Sequence, residues 1–443
     1  MASVGQSPAL PFPAQPGAGA LSVVALRRAL ALLSFAGLLL SSFVIVSSAA
    51  TSPSVLVPSR YGGFPFWLRG ALSGLGWLLD RSQFATWVMV MLGCYLVAVV
   101  CAPALRARWA IATIVVLHAI FLLGPPLFSA DVFGYLDWAR MGALHGLNPY
   151  VHDSGTVVTD PVYQFIRWHT FSSPYGPLFT LGTYALTPLR LSFELWAVKL
   201  AVFGASLGTV ALIWRTAQAL GRPPLFAIVL YGLNPAVLLW AVGGAHNDVL
   251  MMVVLFAGIH LAVIGRERAG VVAGACAVAI KASAGLVMPF MLLGARDRGR
   301  ALRVGAGAGV AVLLVAFAAF GTHAFGFLNV LGTQQKLNSG SSVPAELGVW
   351  LGWSGSPSGV RIVFSTLGVL AIGYCLLRTW RGADWITAAG FATLALMVTS
   401  SWLLTWYAVW LLPLAALSKT RWLAAGAVGM TLFLVLVRTV YLL

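Results

Sequence analysis

Residues 109 to 131 read WAIATIVVLHAIFLLGPPLFSAD, a long apolar run that is followed closely by a single acid, Asp131. A run of about 20 apolar residues is long enough to cross a hydrocarbon core of about 30 Å as a helix. Comparable runs recur along all 443 residues, of which 60% are hydrophobic and 9% are charged. Soluble domains carry about 25% charged residues. The sequence therefore predicts an all-α, polytopic transmembrane helical bundle with about 11–14 membrane helices.

The basic residues lie in short clusters between the apolar runs, although the formal net charge of the chain is +16. Such clusters are typical of the cytoplasmic loops of membrane proteins. No basic stripe or nucleic-acid motif accompanies them, so we expect no nucleic-acid partner. The composition predicts a multi-pass integral membrane protein that contacts membrane lipids, and we expect it in the plasma (inner) membrane.

The predicted domain organisation is a short tail and one membrane domain. Residues 1–25 begin with a Pro-, Gly- and Ala-rich stretch that lacks hydrophobic periodicity, and we predict a disordered tail there. Residues 26–443 are predicted to form a single transmembrane domain, since apolar runs follow one another to the end of the sequence.

Two long loops fall outside the membrane when Arg27 and Arg28 are placed in the cytoplasm. They span residues 128–175 and 321–358, and the first is predicted to bear juxtamembrane helices. A break in the apolar run at residues 281–285 is predicted as well, because one continuous crossing there would place four arginines outside. In the second loop, the candidate contacts of a polar acceptor are Gln334, Gln335, Lys336 and Glu346, with ordinary solvation as the alternative.

The first loop begins with the candidate catalytic residue, Asp131. An acid close to hydrocarbon is costly unless it is paired or used in function. On a helix Tyr135 shares the face of Asp131, whereas Asp137 points elsewhere and is expected to be solvated. A helix cap or an ion pair with Arg140 is the structural alternative for Asp131. Tyr135, Asp137 and Arg140 are candidate substrate-binding residues.

A second polar cluster lies in the sequence GGAHND, residues 243–248. His246, Asn247 and Asp248 are consecutive polar residues between small and apolar ones, a composition that suits the floor of a pocket. The structural alternative is a polar turn that caps the next helix. A divalent metal would need more ligands than this cluster supplies, although Asp131 could complete a site. We expect no metal or cofactor and keep a divalent metal as the alternative.

Two further groups stand out in apolar surroundings. Lys281 lies inside an apolar run, where a cation can hold a phosphate, pair with an acid or extend to the membrane boundary. Near the C-terminus Trp406 and Tyr407 lie among Trp402 and Trp410 at helical spacing. An interfacial aromatic belt explains this pattern, and the lining of a sugar or lipid groove is the functional alternative.

The order of these motifs resembles the GT-C superfamily of membrane glycosyltransferases, and within it the polyprenol-phosphomannose-dependent α-1,6-mannosyltransferases. The resemblance covers roughly residues 105–415. The residues that carry it are Ser129, Asp131, Val132 and Tyr135, then GLNPY at 146–150, PYGPL at 174–178, GGAHND at 243–248, Lys281, and WYAVWLLP at 406–413.

The resemblance implies a GT-C fold with its active site on the extracytoplasmic face. It also implies an inverting transfer of a hexose, mannose by family, from a polyprenyl-phosphate donor to a glycan or glycolipid acceptor. Asp131 takes the position of the acid that acts on the acceptor. Many GT-C enzymes have two adjacent acids there, whereas Ala130 precedes Asp131 here. The implied donor- and acceptor-binding residues are Tyr135, Asp137, Arg140, Tyr175, His246, Asn247, Asp248, Lys281, Trp406 and Tyr407.

Two other classes of function compete with this interpretation. A polytopic transporter or lipid flippase would show paired intramembrane charges or repeat symmetry along a path. A glycan polymerase or ligase would share the large outside loop but transfer a whole glycan. Transfer of one sugar from a lipid-phosphate donor distinguishes the enzyme from both.

Overall fold

The computed structural model describes residues 18–54, 56–58, 63–75, 77–334 and 339–442. Within these ranges the regular secondary structure is helical and no strand occurs. The α-helices are α1 (Ala18–Thr51), α2 (Phe66–Arg69), α3 (Arg81–Cys101), α4 (Ala107–Leu123), α5 (Asp131–Ala143), α6 (Pro177–Tyr184), α7 (Leu191–Ala219), α8 (Pro224–Gly232), α9 (Asn247–Val263), α10 (Glu267–Ile280), α11 (Met288–Gly294), α12 (Arg298–Phe320), α13 (Gly326–Gln334), α14 (Val343–Trp350), α15 (Ser358–Trp380), α16 (Trp385–Thr399), α17 (Ala408–Ala416) and α18 (Arg421–Leu442).

Three short segments of other helix types position the site. A π-helical segment, Ala236–Val242, continues α8 after a bend of 51°. The bend follows from Asn234 and Pro235, since proline lacks the N–H that a straight helix would use. The segments Ala282–Leu286 and Thr405–Tyr407 are 3₁₀-helical and lead into α11 and α17.

Six helices among the described residues are long and apolar enough to cross a membrane, and the bent pair of α8 and the π-helical segment would make a seventh. Five shorter apolar helices of 10–17 residues accompany them. The predicted all-α, polytopic membrane protein is therefore confirmed. Helix α6 has eight residues and a length of about 12 Å, which is too short to cross the hydrocarbon core.

The N-terminal helix begins earlier than the sequence analysis predicts. Helix α1 starts at Ala18, so the part of the predicted tail from residue 18 to residue 25 is helical. The last proline before α1 is Pro16, and the residues after it are compatible with a continuous helix. Residues 1–17 lie outside the described part of the chain.

Buried apolar side chains from α1, α3, α4, α5, α7–α10 and α16–α18 form one continuous core. Helices α12 and α15 lie at the edge of this core. In their most apolar 18-residue segments, only 11% of the residues of α12 and 6% of those of α15 are buried. Apolar helices with such exposure present their side chains to lipid rather than to protein. The polar residues of the candidate site lie within the continuous core.

A buried cation supports the end of α4 that leads to Asp131. The Lys199 ammonium donates to the carbonyl oxygens of Phe121 at 3.0 Å and Pro125 at 3.5 Å, and the residue is only 2% exposed. The last carbonyls of a helix have no partner within the helix, so this lysine satisfies them. The chain end that presents Asp131 is thereby fixed against α7.

Candidate active site

The turn before α5 is tied by backbone hydrogen bonds to the turn before α9 and to the segment that follows α1. The Leu127 N–H donates to the Gly243 carbonyl at 2.9 Å, and the Phe128 N–H donates to the Leu56 carbonyl at 2.8 Å. Phe128 has φ +63° and Ala245 has φ +55°, a region that non-glycine residues rarely adopt. Strained backbone of this kind persists where the surroundings determine it, often at functional sites. Both strained residues lie within three positions of a polar residue of the site.

Asp131 is the first residue of α5 and lies at the mouth of the site. Its N–H donates to the Ser129 hydroxyl at 3.2 Å, and its side chain is 20% exposed. One carboxylate oxygen, Oδ2, lies 3.5 Å from Nδ1 of His246, and the Trp168 indole also contacts the carboxylate. The positive end of the helix dipole favours a negative charge at this position.

Asn247, at the start of α9, is held by Tyr135 from α5. Its N–H donates to the Tyr135 hydroxyl oxygen at 3.2 Å. The Tyr135 ring packs edge-on against Tyr175 and Phe179, with ring centroids 5.0 and 5.1 Å apart. The Nδ2 of Asn247 and both ring nitrogens of His246 are buried without a hydrogen-bond partner among the described residues. All three atoms lie in the interior of the protein, and His246 Nδ1 lies beside the Asp131 carboxylate.

Lys281 lies at the predicted helix break, where its backbone is extended after α10 ends at Ile280. Its ammonium donates to Asp248 Oδ2 at 2.7 Å and to Asn247 Oδ1 at 3.1 Å. The Trp410 indole N–H donates to the other oxygen of Asp248 at 2.8 Å. Asp248 is fully buried, and both of its oxygens are therefore used within the protein.

Close packing of the PYGPL motif sets the position of Lys281. The Gly176 N–H donates to the Ile280 carbonyl at 3.1 Å. A Cβ atom at Gly176 would collide with the Ala279 carbonyl, so only glycine permits this approach. The Lys281 ammonium then lies 5.5 Å from the centre of the Tyr175 ring.

Aromatic rings from the C-terminal part of the chain close the other side. Trp406 stacks on His246 with ring centroids 3.7 Å apart, and Tyr407 stacks on Trp410 at 3.9 Å. The Lys281 ammonium lies 5.9 Å from the Tyr407 ring centre. These rings pack around the polar residues of the site.

The two carboxylates of the site have different environments. Burial raises the pKa of Asp131, the Asp248 charge raises it further, and the Lys281 ammonium opposes both effects. Burial and the same ammonium hold the pKa of His246 well below its ordinary range, so His246 is neutral at pH 7. Asp131 is thus a partly exposed carboxylate beside a neutral imidazole, whereas Asp248 is neutralised by a lysine.

Asp137 and Arg140 do not belong to this group of residues. Asp137 is fully buried and accepts a hydrogen bond from the Ser154 hydroxyl at 2.7 Å, so the prediction that it is solvated is wrong. Arg140 donates to Asp160 at 2.9 Å and to Glu194 at 2.7 Å. Its charge is already balanced by two carboxylates, and it forms neither the ion pair with Asp131 nor a contact with the site.

The structure adds residues that the sequence analysis did not select for the site. Trp410 belongs to the aromatic pattern near the C-terminus, and its hydrogen bond to Asp248 joins residues 162 positions apart in the sequence. Trp168 follows Asp131 by 37 residues in the sequence and lies in a loop without hydrophobic periodicity. Gln335 and Lys336 lie outside the described residues.

The described residues offer no cluster of metal ligands, and two cavities among them lie away from Asp131. No group of three or more His, Cys, Asp or Glu side chains in the described chain has an arrangement that could hold a metal ion. One cavity of about 380 Å³ lies between α2, the loop at 161–165 and the start of α7. Another of about 250 Å³ lies between α4, α7 and α8. Neither is lined by Asp131 or Lys281.

Comparison with known proteins identifies the family. The family model described as "Alpha-(1->6)-mannopyranosyltransferase, N-terminal domain" matches residues 21–296, more than half of the chain. Alpha-(1->6)-mannopyranosyltransferase A of Mycobacterium tuberculosis is 35% identical over 41% of this chain and 36% of its own length. The protein of that name from Corynebacterium glutamicum is 30% identical over 39% of this chain and 36% of its own.

Alpha-(1->6)-mannopyranosyltransferase B of Corynebacterium glutamicum is 22% identical over 70% of this chain and 59% of its own length. The chain thus aligns with between about a third and 59% of these relatives. No solved structure matches it. Because the family model spans most of the bundle that holds Asp131, Asp248 and Lys281, the chain belongs to the alpha-(1->6)-mannopyranosyltransferase family.

Proposed function

We propose that this chain transfers mannose from a polyprenyl-phosphate donor to a hydroxyl of a glycan or glycolipid acceptor, at the extracytoplasmic face of the plasma membrane. Membership of the family supports the sugar, and the names of the relatives support an α-1,6 linkage. A multi-pass membrane protein suits a donor that is anchored in lipid.

The observation that carries the proposal is the contrast between Asp131 and Asp248. Asp248 is fully buried and bonded to Lys281 and Trp410. Asp131 is 20% exposed and forms no ion pair with a lysine or an arginine among the described residues. A general base must reach the acceptor and must be free to take its proton. Of the two, Asp131 meets both requirements.

The proposed reaction is a single displacement at the anomeric carbon of the donor. Asp131 takes the proton of the acceptor hydroxyl as that oxygen attacks C1. The bond from C1 to the phosphate oxygen breaks, and polyprenyl phosphate leaves with the bonding electrons. One displacement inverts the anomeric centre, so a β-linked donor gives an α-linked product.

The leaving phosphate is proposed to bind on the Lys281 side of the site. The side chain of Lys281 is 17% exposed, while the acid that holds it is buried beneath. A cation fixed by a buried acid stays in place when an anion approaches, and it stabilises the charge that develops on the phosphate. The amide nitrogen of Asn247, Nδ2, has no hydrogen-bond partner among the described residues and is proposed as a second donor for the same oxygens.

The test is a transfer assay with the purified chain, polyprenyl-phosphomannose and a short α-mannoside. We expect a product one mannose longer with inverted configuration. A mannosyl adduct on the enzyme would contradict single displacement. If the chain transfers no sugar from any lipid-phosphate donor but moves that lipid across the membrane of vesicles, the protein is a flippase and the proposed reaction is wrong.

A further inference from the structure

A cavity outside the group around Asp131 has the lining of a carbohydrate site. It encloses about 380 Å³, and its lining includes Trp67, Pro161, Gln164, Phe165, Arg190 and Ser192. These residues come from α2, the loop before Trp168 and the first turns of α7. The cavity is therefore built by three separate segments rather than by one flexible loop.

The cavity combines apolar surfaces with unused polar groups. The amide nitrogen of Gln164 donates to the Pro161 carbonyl at 3.1 Å, while its amide oxygen accepts no hydrogen bond from the described residues. Arg190 forms no ion pair within the described chain and is exposed. Aromatic and proline rings suit the apolar face of a hexose, and amide, guanidinium and hydroxyl groups suit its hydroxyls. A phosphate would call for more than the single cation present.

Aromatic contacts connect this cavity to α5. The Phe165 ring packs edge-on against Trp67 at 5.5 Å and stacks on Phe133 of α5 at 5.1 Å. Phe133 follows Asp131 by two residues. The cavity is thus rigidly attached to the helix that presents the candidate base.

The same loop also touches the candidate base. Trp168, three residues after Phe165, contacts the Asp131 carboxylate. Three residues of chain span at most about 11 Å. The Cα atoms of Phe165 and Trp168 are thus separated by no more than the length of a few linked hexoses.

We infer that this cavity binds a neutral hexose unit of the acceptor glycan, remote from the hydroxyl that reacts at Asp131. The inference rests on the proposed function, because it assigns the cavity to the acceptor of that reaction. It makes the cavity a determinant of acceptor length: longer acceptors reach it and short ones do not.

The experiment compares α-1,6-mannobiose with α-1,6-mannotetraose as acceptors of the full chain, with polyprenyl-phosphomannose as donor. For wild type we expect a lower KM for the tetraose. Gln164→Ala should raise the KM of the tetraose about three- to tenfold, roughly the loss of one hydrogen bond, and leave kcat and the KM of the biose unchanged. Trp67→Leu should act in the same direction. Gln218→Ala, an exposed glutamine at the far end of α7, is the matched control.

A second measurement separates this inference from the proposed function. Isothermal titration with mannotetraose alone should show weaker binding to Gln164→Ala than to wild type, whether or not the chain transfers mannose. Equal KM values of wild type for the two acceptors, or equal tetraose binding by wild type and Gln164→Ala, would overturn the inference. If Gln164→Ala binds the tetraose more weakly than wild type and neither protein transfers mannose, the cavity is a sugar site but the proposed reaction is wrong.

Discussion

The two ends of helix α5 hold their charged residues in opposite ways. At its start Asp131 is 20% exposed and faces a neutral histidine. Near its end Arg140 is held between the carboxylates of Asp160 and Glu194 at 2.9 and 2.7 Å. Both residues lie on one 13-residue helix, yet only the second has all of its charge balanced by the protein.

This difference separates a group that is ready to react from a group that fixes the helix. A buried ion pair with good geometry adds little net stability, but removing one partner leaves a costly uncompensated charge. A partly buried acid without such a partner has an unfavourable free energy when it is charged in the folded protein, and it is free to take a proton. The Arg140 end therefore anchors α5, and the Asp131 end is the part presented to substrate.

The most direct way to break the comparison is Asp131→Asn. This change removes the proposed base and keeps its shape, so turnover should fall by a factor of about 10²–10⁴. Mannose transfer by purified protein measures the loss, and thermal unfolding in detergent checks the fold. Asp153→Asn is the control, since that residue lies in the same loop and caps Gly155. Equal turnover of wild type and Asp131→Asn would move the base elsewhere.

A change at the Arg140 end of α5 should lower the free energy of unfolding. Arg140→Met leaves Glu194 buried without a cation and leaves Asp160 with His145 as its one remaining ion-pair partner among the described residues. We expect a loss of about 3–5 kcal/mol in the free energy of unfolding. Thermal and denaturant unfolding in detergent measure it. Arg296→Met, at a side chain 86% exposed and 3.9 Å from its acid, should change stability by less than about 0.5 kcal/mol. Similar losses in the two variants would show that Arg140 anchors nothing.

The helices of the bundle could be predicted from apolar runs, because a lipid surround forces every backbone group into a helix. The break at Lys281 is predicted as well, because one continuous crossing there would place four arginines outside the membrane. The start of α1 could not be predicted from the apolar run, because a helix can extend beyond that run until a proline ends it.

The structure brings together predicted site residues that have apolar neighbours in sequence, such as Asp131, His246 and Lys281. It does not bring Asp137 or Arg140 to them. The sequence predicts a solvated Asp137 and a substrate contact or an ion pair with Asp131 for Arg140, because nothing near either residue reveals Ser154 or Glu194. Long-range pairing depends on how the loop folds back, which hydrophobic periodicity does not describe.

A third prediction sharpens the comparison through Asp137, which lies between the two ends. Burial raises its pKa to about 6, so the folded protein holds a proton that the unfolded chain releases. Its contribution to stability therefore falls as pH rises from about 4 to 6. Asp137→Asn should add up to about 3 kcal/mol at pH 7 and almost nothing at pH 4. Unfolding of both proteins at the two pH values measures this, and a gain independent of pH would contradict it.

The smallest expected effect concerns the strained backbone beside His246. Ala245 has φ +55°, which costs an alanine about 1 kcal/mol and a glycine almost nothing. Ala245→Gly should therefore stabilise the protein by up to about 1 kcal/mol. Ala241→Gly, inside the π-helical segment, should destabilise it by about 1 kcal/mol, as glycine does in a helix. Unfolding in detergent gives both values. If Ala245→Gly stabilises the protein and Ala241→Gly destabilises it, the strain lies at the turn that presents the site. Equal losses of stability in the two variants would mean that the turn at Ala245 is under no strain.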